Sequence, residues 1–311
     1  MATARTTSTE MLALYNTEEL IGLINLVSAK LPEFTSLYAV PIEKTKYKAM
    51  IQTALPAAGF RLDNIGREEQ KPTWSTIDVE CKFMDASWSI DEKVAMDHDN
   101  LRADEVCALQ SQAALQSALT SIASQTWYGT TADANGFVGI ASLLNLTTGP
   151  NVVNAGGTAA NAQTSLYAVS TGLQRVAYAW GQGGVIREGE LMYLPVSDAS
   201  TPAKTFWGFR QSVSGYVGLQ IPSVKCIGRI VNIDAAHPLT DNLISQLLEK
   251  FEPGFEPDMF FTSKRAVAAL QRSRTATNPT GAPAPFPDSA FNIPIYESSA
   301  IKVNEPVVAA S

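Results

Sequence analysis

The fold is decided by the stretch Leu101–Trp127, LRADEVCALQSQAALQSALTSIASQTW. Asp104 and Glu105 fall in its first turns, where carboxylates are favoured by the aligned peptide dipoles of a helix N-terminus. From Val106 to Trp127 there is no charge, proline or glycine, and Ala, Leu, Gln and Ser, most of them compatible with helix, dominate. Tyr128-Gly129 ends it, because glycine takes the left-handed cap conformation without a Cβ penalty. At roughly 1.5 Å per residue the stretch makes a rod of about 40 Å. Leu101, Ala108, Leu115, Leu119 and Ile122 form one stripe, while Val106, Leu109, Ala113 and Gln116 lie off it. Gln110, Gln112, Gln116, Ser117 and Ser121 interrupt the apolar set, so the rod is neither a simple amphipathic surface helix nor a membrane span. An ordinary core helix is the plain reading. The sharper one is a helix that lies under a sheet, with Leu115 and Leu119 buried there, and meets neighbouring chains along its length.

Upstream of the rod the pattern changes to strand. In Trp74–Phe83, Ile77, Val79, Cys81 and Phe83 face one way and Thr76, Asp78, Glu80 and Lys82 the other, the period of a strand with one wet face. Lys44-Thr45-Lys46-Tyr47-Lys48 is a weaker, basic counterpart. Leu55–Arg61 and Asn64–Gly66 between them are irregular, followed by the charged Arg67, Glu68, Glu69 and Lys71. The two runs predict an extended hairpin arm over 41–90. A two-stranded hairpin is marginal alone in water, so a partner should hold it; a hairpin folded back on its own domain is the plainer alternative. Residues 1–15 are rich in Thr, Ala and Ser and predict a mobile arm. Asn16-Thr17-Glu18-Glu19 is similar to a capping box, opening a helix through Leu20, Ile21, Leu23, Ile24 and Val27 to about Lys30, stopped near Pro32.

Downstream, a loop-rich connection from Asn135 to Asn161 precedes short strands at Ser165–Ser170, Val176–Trp180, Glu190–Pro195, Trp207–Tyr216 and Cys226–Ile233. Turn residues at Gly181-Gln182-Gly183-Gly184 and Ser200-Thr201-Pro202 punctuate them, so a mostly antiparallel sheet is expected. Helices are expected over Leu239–Phe251 and Lys264–Arg274, flanking a buried strand Asp258–Thr262. The loop holding Pro279, Pro283, Pro285 and Pro287 cannot join a sheet interior. Ile293–Tyr296 and Ile301–Val303 read as closing strands. Strands and helices are segregated along the chain, the mark of an α+β fold.

Composition narrows the function classes. The 311 residues leave room for one large or two ordinary domains. Charged residues are 17%, against about a quarter in ordinary globular chains. Copies of the chain covering one another would explain so little surface charge. The net charge is −7, from 23 Lys and Arg against 30 Asp and Glu, and no dense basic run marks a phosphate-binding face. Cys81, Cys107 and Cys226 lie far apart, without redox or metal-ligand spacing, and read as small buried hydrophobes in a reducing compartment. No signal-peptide pattern opens the chain, and no apolar run approaches the ~20 residues of a membrane helix, so a soluble, cytoplasmic product is expected.

The search for chemistry yields no catalytic, cofactor-binding or metal residue. His98 and His237 have no third ligand spaced to either, and structural roles are expected for both. Gly181-Gln182-Gly183-Gly184 lacks the strand–turn–helix context of a phosphate loop and reads as a turn. No Gly-x-Ser-x-Gly elbow is present. Asp91, Glu92, Asp97, Asp99, Asp104 and Glu105 cluster, and one helix entrance explains them. Asn145-Leu146-Thr147 matches a glycosylation sequon with no secretion signal to give it use. Trp207 and Phe209 alternate as sheet residues do, but a base-stacking sheet would want more basic neighbours than Arg210. The low charge, the hairpin arm and the apolar N-terminal helix favour an assembly subunit over an enzyme or binding module.

Several ordered stretches also resemble one family. Met50-Ile51-Gln52-Thr53-Ala54-Leu55-Pro56-Ala57-Ala58-Gly59-Phe60-Arg61 and Ser87-Trp88-Ser89-Ile90-Asp91 are similar to the extended-loop region of tailed-bacteriophage major capsid proteins. Ala113–Gly129 with Phe137-Val138-Gly139-Ile140, then Asn154-Ala155-Gly156-Gly157-Thr158 and Thr164–Val169, resemble the end of that family's spine helix and the lead into its central domain. The match is firmest at Gly215-Tyr216-Val217-Gly218-Leu219 through Arg229–Asp234, and Gly181–Lys204 stands outside it. The resemblance implies a Hong-Kong-97-type capsid fold: an N-terminal arm with a short helix (1–40), an extended hairpin loop (41–90), a peripheral domain with the spine helix (91–160), an axial domain (161–290) and a C-terminal return to the peripheral domain (291–311). It implies a non-enzymatic shell protein without cofactor, tiling hexamers and pentamers of an icosahedral head around double-stranded DNA. The chain would reside in the virion capsid after assembly in the host cytoplasm. Separate scaffold and portal proteins are expected, a decoration protein is allowed for, and neither sequence-specific DNA binding nor a membrane is. Lys44, Lys46, Lys48 and Lys71 lie in the arm, with no lysine–asparagine cross-link expected. An encapsulin-like compartment around a protein cargo is the alternative.

Overall fold

The rod is a helix over Ala103–Tyr128. It belongs to a computed structural model that describes residues 29–97, 102–184, 186–197, 204–278 and 282–310. The arm 1–15, the capping box at 16–19, nearly all of the helix expected up to Lys30, His98, Asp99, Leu101, the turn 200–202 and Pro279 lie outside the described residues. Glu105 closes the first turn of the rod by accepting from the Arg102 N–H at 2.9 Å. At the other end Gly129 has φ 58°, and a Cβ there would collide with the backbone nitrogen of Gly139. Two glycines therefore let the helix end and the following loop touch backbone to backbone.

Sixteen strands, among the described residues, form four sheets. The largest orders β15 (Ser289–Ala290), β16 (Ile293–Glu297), β14 (Met259–Thr262), β7 (Thr164–Val169), β13 (Ile227–Ile233) and β6 (Val152–Asn154). The second orders β1 (Tyr38–Pro41), β8 (Ala177–Trp180), β12 (Val213–Gln220) and β4 (Lys82–Asp85), with β9 (Arg187–Glu188) also on β12. β10 (Met192–Ser197), β11 (Thr205–Gln211) and β5 (Trp88–Asp91) make a third, and β2 (Lys46–Ala54) with β3 (Thr73–Glu80) the hairpin. Pairing is mostly antiparallel; β1–β8, β13–β6 and β14–β16 are parallel.

The main core lies where the end of the long helix meets the first two sheets. Ile122, Ala123, Trp127 and Tyr128 pack there with Tyr167, Val169, Tyr178, Val217 and Phe261. Trp127 is fully buried, 4.9 Å from the Tyr167 ring and 5.0 Å from Phe261. A second core seats the helices Asp241–Glu249 and Lys264–Ala276 on the largest sheet through Ile244, Leu247, Val267 and Leu270 against Leu166, Ile230 and Phe260. A third, small one joins the start of the rod, Val106 and Cys107, to Ile90 and Ala95.

Four expectations need correction. The buried stripe is not the one read from spacing: Ala108 is exposed, Leu115 and Leu119 are half-buried, and no residue from 108 to 117 is buried. The rod is buried at both ends and only half-covered between them, so 3.6-residue periodicity along its whole length has no single surface to match. Trp207–Tyr216 is not one strand, because the chain breaks at Ser212 and passes from the third sheet into the second. Phe83, placed by alternation on the buried side, is exposed and lies 5.2 Å from the Tyr216 ring; the chain breaks between β3 and β4 at Cys81, and the alternation does not carry across. Ile301–Val303 forms no strand; the tail instead bridges Glu305 to Gln163. The largest sheet draws β6 from 91–160, β7, β13, β14 and β15 from 161–290 and β16 from 291–311.

Candidate assembly surface

The hairpin arm is anchored at its base and bare beyond it. Tyr47, Ile77, Val79 and Cys81 pack with Ile42, Ala179 and Tyr216 over the inner strands β8 and β12 of the second sheet, and the Tyr47 hydroxyl bonds Gln220. Register pairs Tyr47 with Val79 and Ala49 with Ile77 on that face, and Lys46 with Glu80 and Lys48 with Asp78 on the other. The Lys48–Asp78 pair is 3.8 Å apart and solvated on both sides. Lys82 donates to Glu80 at 2.9 Å and holds that carboxyl below the usual glutamate range. Past a register shift at Gln52–Ala54 every residue from 52 to 71 is exposed. The loop is held by few bonds of its own: Arg67 Nη2 donates to Ala57 O at 3.0 Å, Arg61 Nη1 to Ile65 O at 3.3 Å and Ile65 N–H to Leu62 O at 3.3 Å.

What this arm displays is apolar. Met50, Leu55, Leu62, Ile65 and Trp74 are exposed and Phe60 stands fully in solvent. Single exposed hydrophobes are ordinary on monomers, but a projecting hairpin carrying six marks a surface that another protein covers. A second uncovered patch lies on the third sheet, where Tyr193 stacks on Trp207 at 5.1 Å and its hydroxyl donates to Glu92 at 2.9 Å. The third is the half-covered middle of the rod, where the exposed Ser117 and Ser121 border a cleft of about 420 Å³ opposite β4.

The body, in contrast, holds a buried polar cluster that its own chain completes. Arg229 and Glu305 form a buried ion pair at 2.9 Å. Glu305 also accepts from Ser165 Oγ and from the Tyr128 hydroxyl, each at 2.6 Å. Arg229 further donates to Ser165 Oγ at 3.1 Å and Leu144 O at 3.1 Å, and its guanidinium lies over the Tyr167 ring at 5.2 Å. Burial drives the Tyr128 hydroxyl far above the ordinary tyrosine range, so it stays a donor to the carboxylate. The tail continues past this pair, with Asn232 at φ 58° clasping the backbone of Val308 from both sides at 2.8 and 3.1 Å. Sequence reading missed this clasp, because its partners stand 76 and 177 positions apart and share no local motif.

The residues weighed for chemistry fall apart in space or serve the fold. His237 bonds Asp234 at 3.1 Å. Burial opposes ionisation of Asp234, but hydrogen bonds from His237, Gln163 and Ala236 outweigh it and hold its carboxyl at about 2. Gly181–Gly184 is a turn after β8, with Gln182, Gly183 and Gly184 at positive φ. Asp91 caps the helix Glu92–Met96 by accepting from Lys93 N–H at 2.8 Å, as a helix entrance requires. All three cysteines are buried and free, and burial pushes the Cys81 and Cys107 thiols up to about 11. Phe209 is half-buried and Trp207 exposed on one strand, with Tyr216 in another sheet. Among the described residues no group of three His, Cys, Asp or Glu is placed to hold a metal. None of the described helices is long and apolar enough to cross a membrane.

The family model of major capsid protein GP7 matches residues 39–272, which hold the hairpin, the rod and most strands of the large sheets. The chain belongs to the major capsid protein GP7 family. It is a shell protein, and its α+β architecture is the Hong-Kong-97-type capsid fold. A chain of the bacteriophage epsilon15 structure is 16% identical, with a TM-score of 0.70 over 100% of this chain and 99% of that one. The capsid of a native GTA particle is 10% identical over 70% of this chain and 95% of that one, at a TM-score of 0.47. Mycobacterium phage Adephagia gives 11% identity over 73% and 98%, also at 0.47. No curated protein matches the chain. In a capsid family the uncovered arm, the aromatic patch and the half-covered middle of the rod need no further ligand to explain them, because shell subunits cover one another.

Proposed function

We propose that copies of this capsid subunit tile hexamers and pentamers of an icosahedral phage head that encloses double-stranded DNA, with the hairpin arm as the main contact between copies. The uninterrupted exposure of 52–71 with its apolar side chains carries the reading. A two-stranded ribbon with no core of its own gains order only by lying on something. The division into an arm (1–40), extended loop (41–90), peripheral part (91–160), axial part (161–290) and a C-terminal return to the peripheral part (291–311) belongs to this proposal. A net charge of −7 suits a container that must not adhere to the polyanion inside it. Assembly in the host cytoplasm with separate scaffold and portal proteins completes the proposal, and the chain performs no catalysis. No lysine–asparagine cross-link through Lys44, Lys46, Lys48 or Lys71 forms part of the proposal; Lys48 faces Asp78 of its own chain at 3.8 Å.

Negative-stain imaging of the purified chain, alone and with its scaffold protein, tests this. Closed shells are expected, and a homogeneous population of monomers or dimers under every condition would overturn the reading. Shells whose contents are protein instead of DNA would turn the proposal into the encapsulin-like alternative, which the family match does not favour.

A further inference from the structure

Among the described residues, the carboxyl of Glu33 is buried without a counter-charge. Glu33 sits in the one-turn helix Glu33–Ser36 and is fully buried. Its Oε1 accepts from Ser298 Oγ at 3.0 Å and from Trp127 Nε1 at 3.4 Å. Its Oε2 is buried with no hydrogen-bond partner. An ionised carboxylate placed so would keep one charged oxygen out of water with neither donor nor cation, a cost the neutral acid avoids.

The surroundings supply no charge to offset this. The end of the rod contributes Trp127 and Thr126, and Thr126 Oγ1 is bonded to the Tyr178 hydroxyl at 2.8 Å. From β8 comes Tyr178, whose ring stacks on Phe34 at 5.6 Å and whose hydroxyl burial keeps protonated. The C-terminal segment brings Ser298 and Glu297, the latter paired at 3.3 Å with Lys30 of Glu33's own segment. Lys30 is thus engaged at the surface by a different carboxylate. Burial raises the Glu33 carboxyl above its ordinary range, against the opposing hydrogen bonds from its own backbone, Ser298 and Trp127.

We propose that Glu33 is a proton-dependent latch: as a neutral acid it holds the segment 31–37 against the end of the spine helix and Ser298, and on ionisation it releases that segment. The sign follows from linkage. The folded chain holds this proton more tightly than the unfolded one, so the stabilisation is complete below the ordinary glutamate pKa and is lost as pH rises through the elevated folded value. The latch is a property of the subunit and stands whether or not the shell reading does.

The test is hydrogen exchange of residues 31–37, with thermal unfolding, on the full-length chain between about pH 5 and about pH 9. Wild type should lose protection and melting temperature as pH rises, whereas E33Q should hold both and exceed wild type at the alkaline end. Parallel profiles for the two would overturn the latch. Should E33Q fail to fold, Ser298→Ala decides: losing a donor that favours the ionised form should move the pH midpoint of release upward. An unmoved midpoint overturns the proposal.

Discussion

The Arg229–Glu305 clasp and the hairpin arm treat charge and oil in opposite ways. In the clasp a guanidinium and a carboxylate are both buried, and every lone pair that matters is met within the chain: Ser165, Tyr128 and Leu144 complete the shell around them. In the arm the charges are solvated, Lys48 standing 3.8 Å from Asp78, while Phe60, Leu62 and Ile65 are left in water. One region is finished by its own chain and the other is not. Damage to the clasp should therefore unfold the subunit, and damage to the arm should spare the subunit and stop the shell.

The sharpest test of that contrast is Arg229→Ala, which leaves Glu305 buried and unpaired. A loss of roughly 3–5 kcal/mol is expected by denaturant unfolding, enough to unfold many domains. A loss near that of a surface change would erase the distinction. Trp127→Ala removes the ring between Tyr167 and Phe261 and should cost about 3–5 kcal/mol in the same assay, with the cavity setting where in that range it falls.

The rod sharpens the contrast within one element. Ile122→Asp buries a charge in the main core and should abolish soluble protein, whereas Leu119→Asp, at a half-buried position, should leave a folded subunit that assembles poorly. Equal loss of soluble yield for both would show the middle of the rod to be as covered as its end. For the arm, deleting Asn64–Lys71 should change subunit stability by no more than about 0.5 kcal/mol while shells become rare in micrographs. Unimpaired shells would break the comparison from the other side. The smallest effect belongs to Lys48→Ala: breaking an exposed pair should cost between about 0 and 1 kcal/mol and shrink further in high salt.

Much of the architecture was legible before any coordinates. The rod ends within two residues of where Asp104, Glu105 and Gly129 place it, because caps act locally. The hairpin was visible from alternation at 74–81, since only one of its faces meets the body. The late helices and the strand between them fall where spacing put them. The break at Ser212 was not legible, because both halves read as extended and only their partners differ. Glu33 gave no signal either: an acidic residue after Pro32 looks solvated until Trp127 and Ser298 close over it.

The amino-acid sequence alone determined the α+β class, the long rod, the projecting hairpin and the lack of a local catalytic motif. Each of these depends on neighbours within a few turns or a strand length. Tertiary structure decided which part of the rod is covered, which strands share a sheet, and that Glu305 of the tail closes onto Arg229 and Tyr128. Those outcomes depend on residues far apart in the chain, where burial and desolvation, not spacing, choose the partner.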